Sequence, residues 1–280
     1  MENSLYNLIN LSQIAPGFLL AAFIAILSYR FRALTKSGAI GMMIIGTIIF
    51  GLGGVLFAVP LIVFFITSTL LSFIKSVHKE EALAVIGKSG PRDIFQVFAN
   101  GGIATLTVVI FAITNNAIWY IVFLTSIAEA AADTWATEIG TLSRHKPVLI
   151  TNFKTVEPGR SGGISLPGTA VSLIGSAVVI LSGYLVDFVT GGSIEYANSV
   201  WIMAVLAGWT GAIFDSVLGA AVQVQYKCHI CNQITEKKRH CGRETSFYSG
   251  YQIADNDFVN FTSTLFAGLL LLAIMTIFYI

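Results

Sequence analysis

The sequence predicts an all-α, polytopic membrane protein: a bundle of about eight transmembrane helices forming a single integral membrane domain over residues 1–280. Three observations predict it. Hydrophobic residues make up 55% of the chain and charged residues 11%, with a mean hydropathy of +0.78, whereas a soluble domain carries about a quarter of its residues as charges. Its apolar runs approach the ~20 residues that cross a bilayer. All 16 Lys and Arg residues fall in alternate loops, after the first apolar run and around residues 75–92, 144–160 and 227–243. Cytoplasmic loops retain Lys and Arg, so four basic loops are expected on the cytoplasmic side and both termini on the other. The expected location is the cell membrane.

The first span, residues 14–29, ends at Arg30. Pro60 lacks an N–H and cannot continue a preceding helix. With Gly51, Gly53 and Gly54 nearby, it divides 39–58 from 60–74 at a tight outer turn. Asn115-Asn116 joins spans 94–114 and 118–137, and spans 166–186, 200–222 and 258–280 complete the set. Seven spans would scatter the basic loops over both faces. Residues 1–11 lack the basic segment and cleavage site of a signal peptide, and no transit peptide is apparent. Lys36-Ser37-Gly38-Ala39-Ile40 echoes Arg160-Ser161-Gly162-Gly163-Ile164. Each opens a helix from the basic face, as a parallel duplication of four plus four spans would place them.

Carboxylates inside spans carry the functional signal. Glu129 and Asp133, four residues apart, share a helix face, with Glu138 at the basic boundary. Asp215 sits on the seventh span, its face continued by Gly219 and Gln223. An intramembrane acid costs about 2.5–3.5 kcal/mol to insert, and such acids normally face a cavity or a partner. No Lys or Arg lies deep in a span to lock them as ion pairs. Asp133 and Asp215 therefore read as functional; Glu129 reads equally either way, and Glu138 also fits an interfacial role. Oxygen-only ligands suit Mg²⁺ shared with phosphates, while H⁺ or Na⁺ would point to a transporter.

The basic face adds groups suited to anions. Gly159, Arg160, Ser161, Gly162, Gly163 and Ser165 precede a helix that has Pro167 in its first turn. Glycines turn backbone N–H groups toward an anion, and a helix N-terminus adds positive potential. Arg92 and Asn100 open the fourth span and Lys36 the second, from the same side. Together these describe a pocket for phosphate and a divalent metal. The longest basic loop, residues 223–257, holds Cys228, Cys231, His240 and Cys241. Three thiols and an imidazole can close a structural zinc site; His229 is a substitute ligand, and redox chemistry is the alternative. Nucleic-acid binding has no support, because the basic residues are spread over four loops without an aromatic platform.

Ala132-Asp133-Thr134-Trp135-Ala136-Thr137-Glu138-Ile139-Gly140 resembles the signature of a multispanning membrane family of unknown function, whose members include a plant phytyl-phosphate kinase and an animal transmembrane protein. The likeness extends through residues 34–39, 96–102, 159–165, 215–220, 228–242 and 257–260. Arg160 departs from the Thr followed by a polar residue expected there. The resemblance implies an isoprenoid-phosphate kinase that moves the terminal phosphate of CTP or ATP to a lipid monophosphate. Asp133 and Asp215 would hold Mg²⁺, with Glu138 as a third ligand. Lys36, Arg92 and the 159–165 loop would neutralise phosphate charge, and Asn100, Gln223 and Asn260 would orient the head group. The alternative is a cation-coupled transporter or lipid flippase using the same acids.

Overall fold

The computed structural model describes residues 13–88 and 90–278, so the expectations for residues 1–11 and for the last two residues of the final span lie outside the described residues. The helices are α1 (Ile14–Arg30), α2 (Lys36–Ser72), α3 (Val77–Val85), α4 (Ile94–Thr114), α5 (Ile118–Gly140), α6 (Leu166–Thr190), α7 (Asn198–Ala221) and α8 (Asn256–Phe278). α2, α4, α6, α7 and α8 are long and apolar enough to cross a membrane, while α1 has 17 residues. α5, at 23 residues, is long enough, but Glu129, Asp133 and Glu138 dilute its hydropathy. Phe18, Phe23, Leu106, Ile113, Leu181 and Leu206 are exposed on the outside, which suits hydrocarbon rather than water.

Local chemistry sets the helix ends. Thr35, Ser76 and Ser165 cap α2, α3 and α6 by accepting from Gly38 N, Lys79 N and Gly168 N. Asp93 and Gln96 form a reciprocal capping box at α4. Asn115, left-handed at φ 53°, ends α4 where the Asn-Asn turn is expected. Asp187, expected in a loop, belongs to α6; its carboxylate accepts from Ser193 N and Ile194 N and fixes the turn after the helix.

α2 doubles back. Thr35 N donates to Arg92 O at 3.0 Å, and Arg92 Nη1 donates to Thr69 Oγ1 at 3.4 Å. A straight helix would put Thr35 and Thr69 about 50 Å apart. The reversal is at Gly54 (φ 62°, ψ −156°), a conformation essentially closed to residues with a Cβ. The two limbs agree with the sequence, but Pro60 is not the break and lies within the second limb. Lacking an N–H, Pro60 frees the carbonyl of Leu56, which the Tyr120 hydroxyl meets at 3.2 Å while also reaching Gly183 O at 2.9 Å.

α5 is the core, with every residue from Tyr120 to Ala132 buried. A helix buried all round belongs inside a bundle, and α2, α4, α6, α7 and α8 surround this one. Small residues allow close approach: a Cβ on Gly208 would lie 3.0 Å from Ala128 Cβ, and one on Gly211 would lie 2.6 Å from Glu129 Cγ.

The basic loops hold regular structure, and part of it departs from an all-α reading. α3, a nine-residue helix, occupies the second basic loop. Short antiparallel ladders occupy the others: β1 (Val148–Leu149) pairs with β2 (Gly163–Ile164). β3 (Gln225–Lys227) lies between β4 (Ile234–Thr235) and β7 (Ser246–Ser249), and β5 (Arg239–His240) pairs with β6 (Arg243–Glu244). The paired echo also fails locally, because Gly38 lies inside α2 while Gly162 is in a turn at φ 75°.

Candidate functional site

A cavity of about 250 Å³ opens at the basic end of the bundle, between α5, α6, α7 and the loops over them. Asp133 reaches it from α5 and Asp215 from α7, with Arg160, Ser161, Gly162, Gly163 and Ser165 on the loop side, and Gln223 and Glu236 beside them. Residues from α5, the 160–165 loop, the end of α7 and the Glu236 loop therefore share one chamber.

Close backbone packing seats the glycine loop. A Cβ on Gly162 would fall 2.4 Å from Ala220 Cβ, and one on Gly159 (φ 83°) would fall 2.4 Å from Ala82 O. Only glycine lets the loop press against both α7 and α3. Gly163 N closes the turn on Arg160 O, so that amide serves the loop rather than a ligand. Arg160 lies over the ring of Tyr248, and its buried Nε has no hydrogen-bond partner.

The acids are concentrated and uncompensated. Glu129 lies within electrostatic reach of Asp215 and Asp133, and Asp215 within reach of Asp133 and Glu236. Both oxygens of Glu129 and Oδ2 of Asp215 are buried without a hydrogen-bond partner. Among the described residues, no Lys or Arg ion-pairs with Glu129, Asp133, Asp215 or Glu236. Orphaned carboxylate oxygens form a donor set that fits a hard cation such as Mg²⁺.

Glu236 was not anticipated. Its carboxylate accepts from Ser161 Oγ at 2.7 Å and from Gly87 N at 2.9 Å. Burial pushes its pKa above the usual carboxylate range, and those hydrogen bonds pull it back only in part. No local pattern marks it, because both partners are distant in sequence. His145, Thr137 and Thr141 also line the chamber without having been singled out.

Other expected residues lie elsewhere. Glu138 pairs with Lys79 Nζ at 2.5 Å, which binds it as a structural partner instead of leaving it free for metal. Lys79 lies on α3, within the second of the expected basic loops. Lys36 is exposed at the start of α2 and does not line the cavity. Gly38 turns inward against the Arg92 backbone, so Lys36, two residues away, points outward. Arg92 and Asn100 line a second, mainly apolar cavity of about 360 Å³ between α1, α2 and α4. Arg92 feels the Glu138 charge, but burial holds its pKa below the usual value. Asn260 Nδ2 donates to Asn100 Oδ1 at 3.4 Å, joining α8 to α4.

Cys228, Cys231, His240 and Cys241 converge, their donor atoms all within 4.8 Å of one another. The chain is 30% identical over 272 residues to Protein PGR of Arabidopsis thaliana, covering 90% of this chain and 92% of that one. It is 31% identical over 205 residues to an uncharacterized membrane protein of Methanocaldococcus jannaschii, covering 73% and 81%. It is 24% identical over 195 residues to Protein VTE6, chloroplastic, of Arabidopsis thaliana, covering 68% and 56%. No solved structure matches it. The family described as integral membrane protein DUF92 matches residues 19–268, and the chain belongs to that family.

Proposed function

We propose that this protein is a membrane phosphotransferase that moves the terminal phosphate of a nucleoside triphosphate, CTP or ATP, to an isoprenoid monophosphate. The observation that carries this reading is the cavity shared by Asp133, Asp215 and Glu236 with Arg160 and Ser161. Carboxylates suit a metal, and a guanidinium with hydroxyls suits phosphate oxygens. Resemblance to a family that includes a phytyl-phosphate kinase supports the substrate class. Counting α1, both limbs of α2, α4, α5, α6, α7 and α8 as crossings gives eight spans. The cavity is then cytoplasmic and both termini lie across the cell membrane.

Asp133 and Asp215 would hold Mg²⁺, which neutralises phosphate charge when bound. Arg160 binds and orients phosphate oxygens, and Ser161 and Gln223 brace Glu236 at the wall. The second cavity offers a slot for an apolar chain, with Arg92, Gln96 and Asn100 as its polar residues. An oxygen of the lipid monophosphate forms the new P–O bond as the bond from the terminal phosphorus to its bridging oxygen breaks. A nucleoside diphosphate leaves and a prenyl diphosphate forms. No general base is needed when the attacking phosphate is already ionised, since positioning and charge neutralisation carry such transfers.

The test uses purified protein in detergent with Mg²⁺, labelled CTP or ATP, and prenyl phosphates of several lengths. Label transfer is expected, with Asp133→Asn and Asp215→Asn each lowering it by at least about a hundredfold while the unfolding temperature is retained. Folded wild-type protein that transfers no label overturns the proposal. One observation favours the alternative of cation-coupled transport: Glu129 is buried, unpartnered and outside the cavity lining. Cation-driven flux in vesicles without label transfer would establish it.

A further inference from the structure

We propose that Cys228, Cys231, His240 and Cys241 bind one structural zinc ion that clamps the segment carrying Glu236 against the cavity wall. Two thiol–imidazole edges, Cys231 Sγ to His240 Nδ1 and Cys241 Sγ to His240 Nδ1, are 3.4 Å. A tetrahedral zinc site with Zn–S ~2.3 Å and Zn–N ~2.0 Å has S···N edges of about 3.5 Å. All four donor atoms fall within 4.8 Å of one another, so loading the ion requires only a small contraction. Four protein ligands leave no open position, which makes the site structural.

The backbone supports the same ligand set. Ile230 N donates to Cys228 Sγ at 3.4 Å, and Asn232 N donates to Cys228 O at 3.0 Å, folding the first pair into a knuckle. The second pair sits at the β5–β6 hairpin, where Cys241 (φ 51°) and Gly242 (φ 77°) form the turn. Asn-Gly is the favoured sequence for such a turn; the Cys there brings its thiol to the cluster.

The clamp follows from what lies between the ligands. Residues 232–239 run from Cys231 to His240, and this segment touches the wall at several points. Thr235 Oγ1 donates to Val85 O at 2.6 Å, and Lys237 Nζ donates to Leu83 O at 3.0 Å. Glu236 then accepts from Gly87 N and Ser161 Oγ. An ion joining both ends of the segment removes loop freedom that these few bonds must otherwise overcome.

The test needs no substrate, so its failure is separable from failure of the kinase reading. Protein purified without chelator is expected to carry about one zinc per chain by elemental mass spectrometry, with little iron. A strong chelator should release the zinc, expose three thiols to a colorimetric thiol reagent, and speed amide exchange across 232–240 roughly tenfold, leaving α5 unchanged. Cys231→Ser should lose zinc and show the same fast exchange; if that variant does not fold, chelation of wild-type protein supplies the reading. Folded protein with under about a tenth of a zinc per chain and three reactive thiols overturns the site. Zinc release without faster exchange overturns the clamp.

Discussion

Replacing Lys79 with Met tests whether Glu138 is a structural partner or a metal ligand. Lys79 is 4% exposed. Its Nζ donates to Leu71 O at 3.2 Å, Ser72 O at 3.2 Å and Ile74 O at 2.8 Å, and pairs with Glu138 at 2.5 Å. One ammonium thus satisfies the carbonyl end of α2 and ties it to the end of α5. Methionine fills similar volume but leaves a mostly buried carboxylate without its ion-pair partner, and removing one partner of such a pair costs about 3–5 kcal/mol. At about 2–4 °C per kcal/mol for a domain of 150–250 residues, the unfolding temperature should fall on the order of 10 °C. Intrinsic fluorescence of the four Trp residues during heating in detergent reads it. Lys79→Met with Glu138→Gln removes the stranded charge and should recover about half the loss. A single variant within about 2 °C of wild type would sink the pairing argument. Glu138→Gln abolishing transfer at unchanged unfolding temperature would instead make Glu138 a ligand.

Gly162→Ala should lower the unfolding temperature and weaken phosphate binding. Its φ of 75° costs about 1–2 kcal/mol for a residue with a Cβ, and the overlap with Ala220 must also be relieved; circular dichroism melts and phosphate titration check both. Glu236→Gln should raise the unfolding temperature at pH 8 and leave it unchanged near pH 4. Burial raises the folded pKa of Glu236, so the stability this group contributes is present below the unfolded value of about 4.3 and lost as pH rises through the raised one. A Gln mimics the protonated form at every pH, so melting from pH 4 to pH 8 should show the difference growing with pH, and a flat difference would contradict it.

The membrane fold was legible because the hydrocarbon barrier imposes long apolar runs and charged loops at specific intervals. Asp133 and Asp215 were legible for the same reason, since a carboxylate in an apolar run stands out. Lys79 was not: α3 has nine residues in a loop rich in charge, and nothing local says that one of its cations turns back under α2. The reversal at Gly54 was placed at Pro60 because proline's missing N–H can be read from its identity, whereas the sign of φ at one of three nearby glycines cannot. Glu236 depends on contacts with Gly87 and Ser161, 149 and 75 residues away. Such pairings exist only after the chain has folded.

The charge of the cavity constrains any function built on it. Asp133, Asp215 and Glu236 line it against the one guanidinium of Arg160, with Glu129 behind them. Where these three acids are ionised, they repel a phosphate more strongly than one guanidinium attracts it. An anionic substrate then needs a compensating cation beside it. The shared requirement for a cation explains why the kinase and transport readings draw on the same acids. They part at the loop side, where the Arg160 guanidinium offers phosphate recognition that a simple cation pathway does not need.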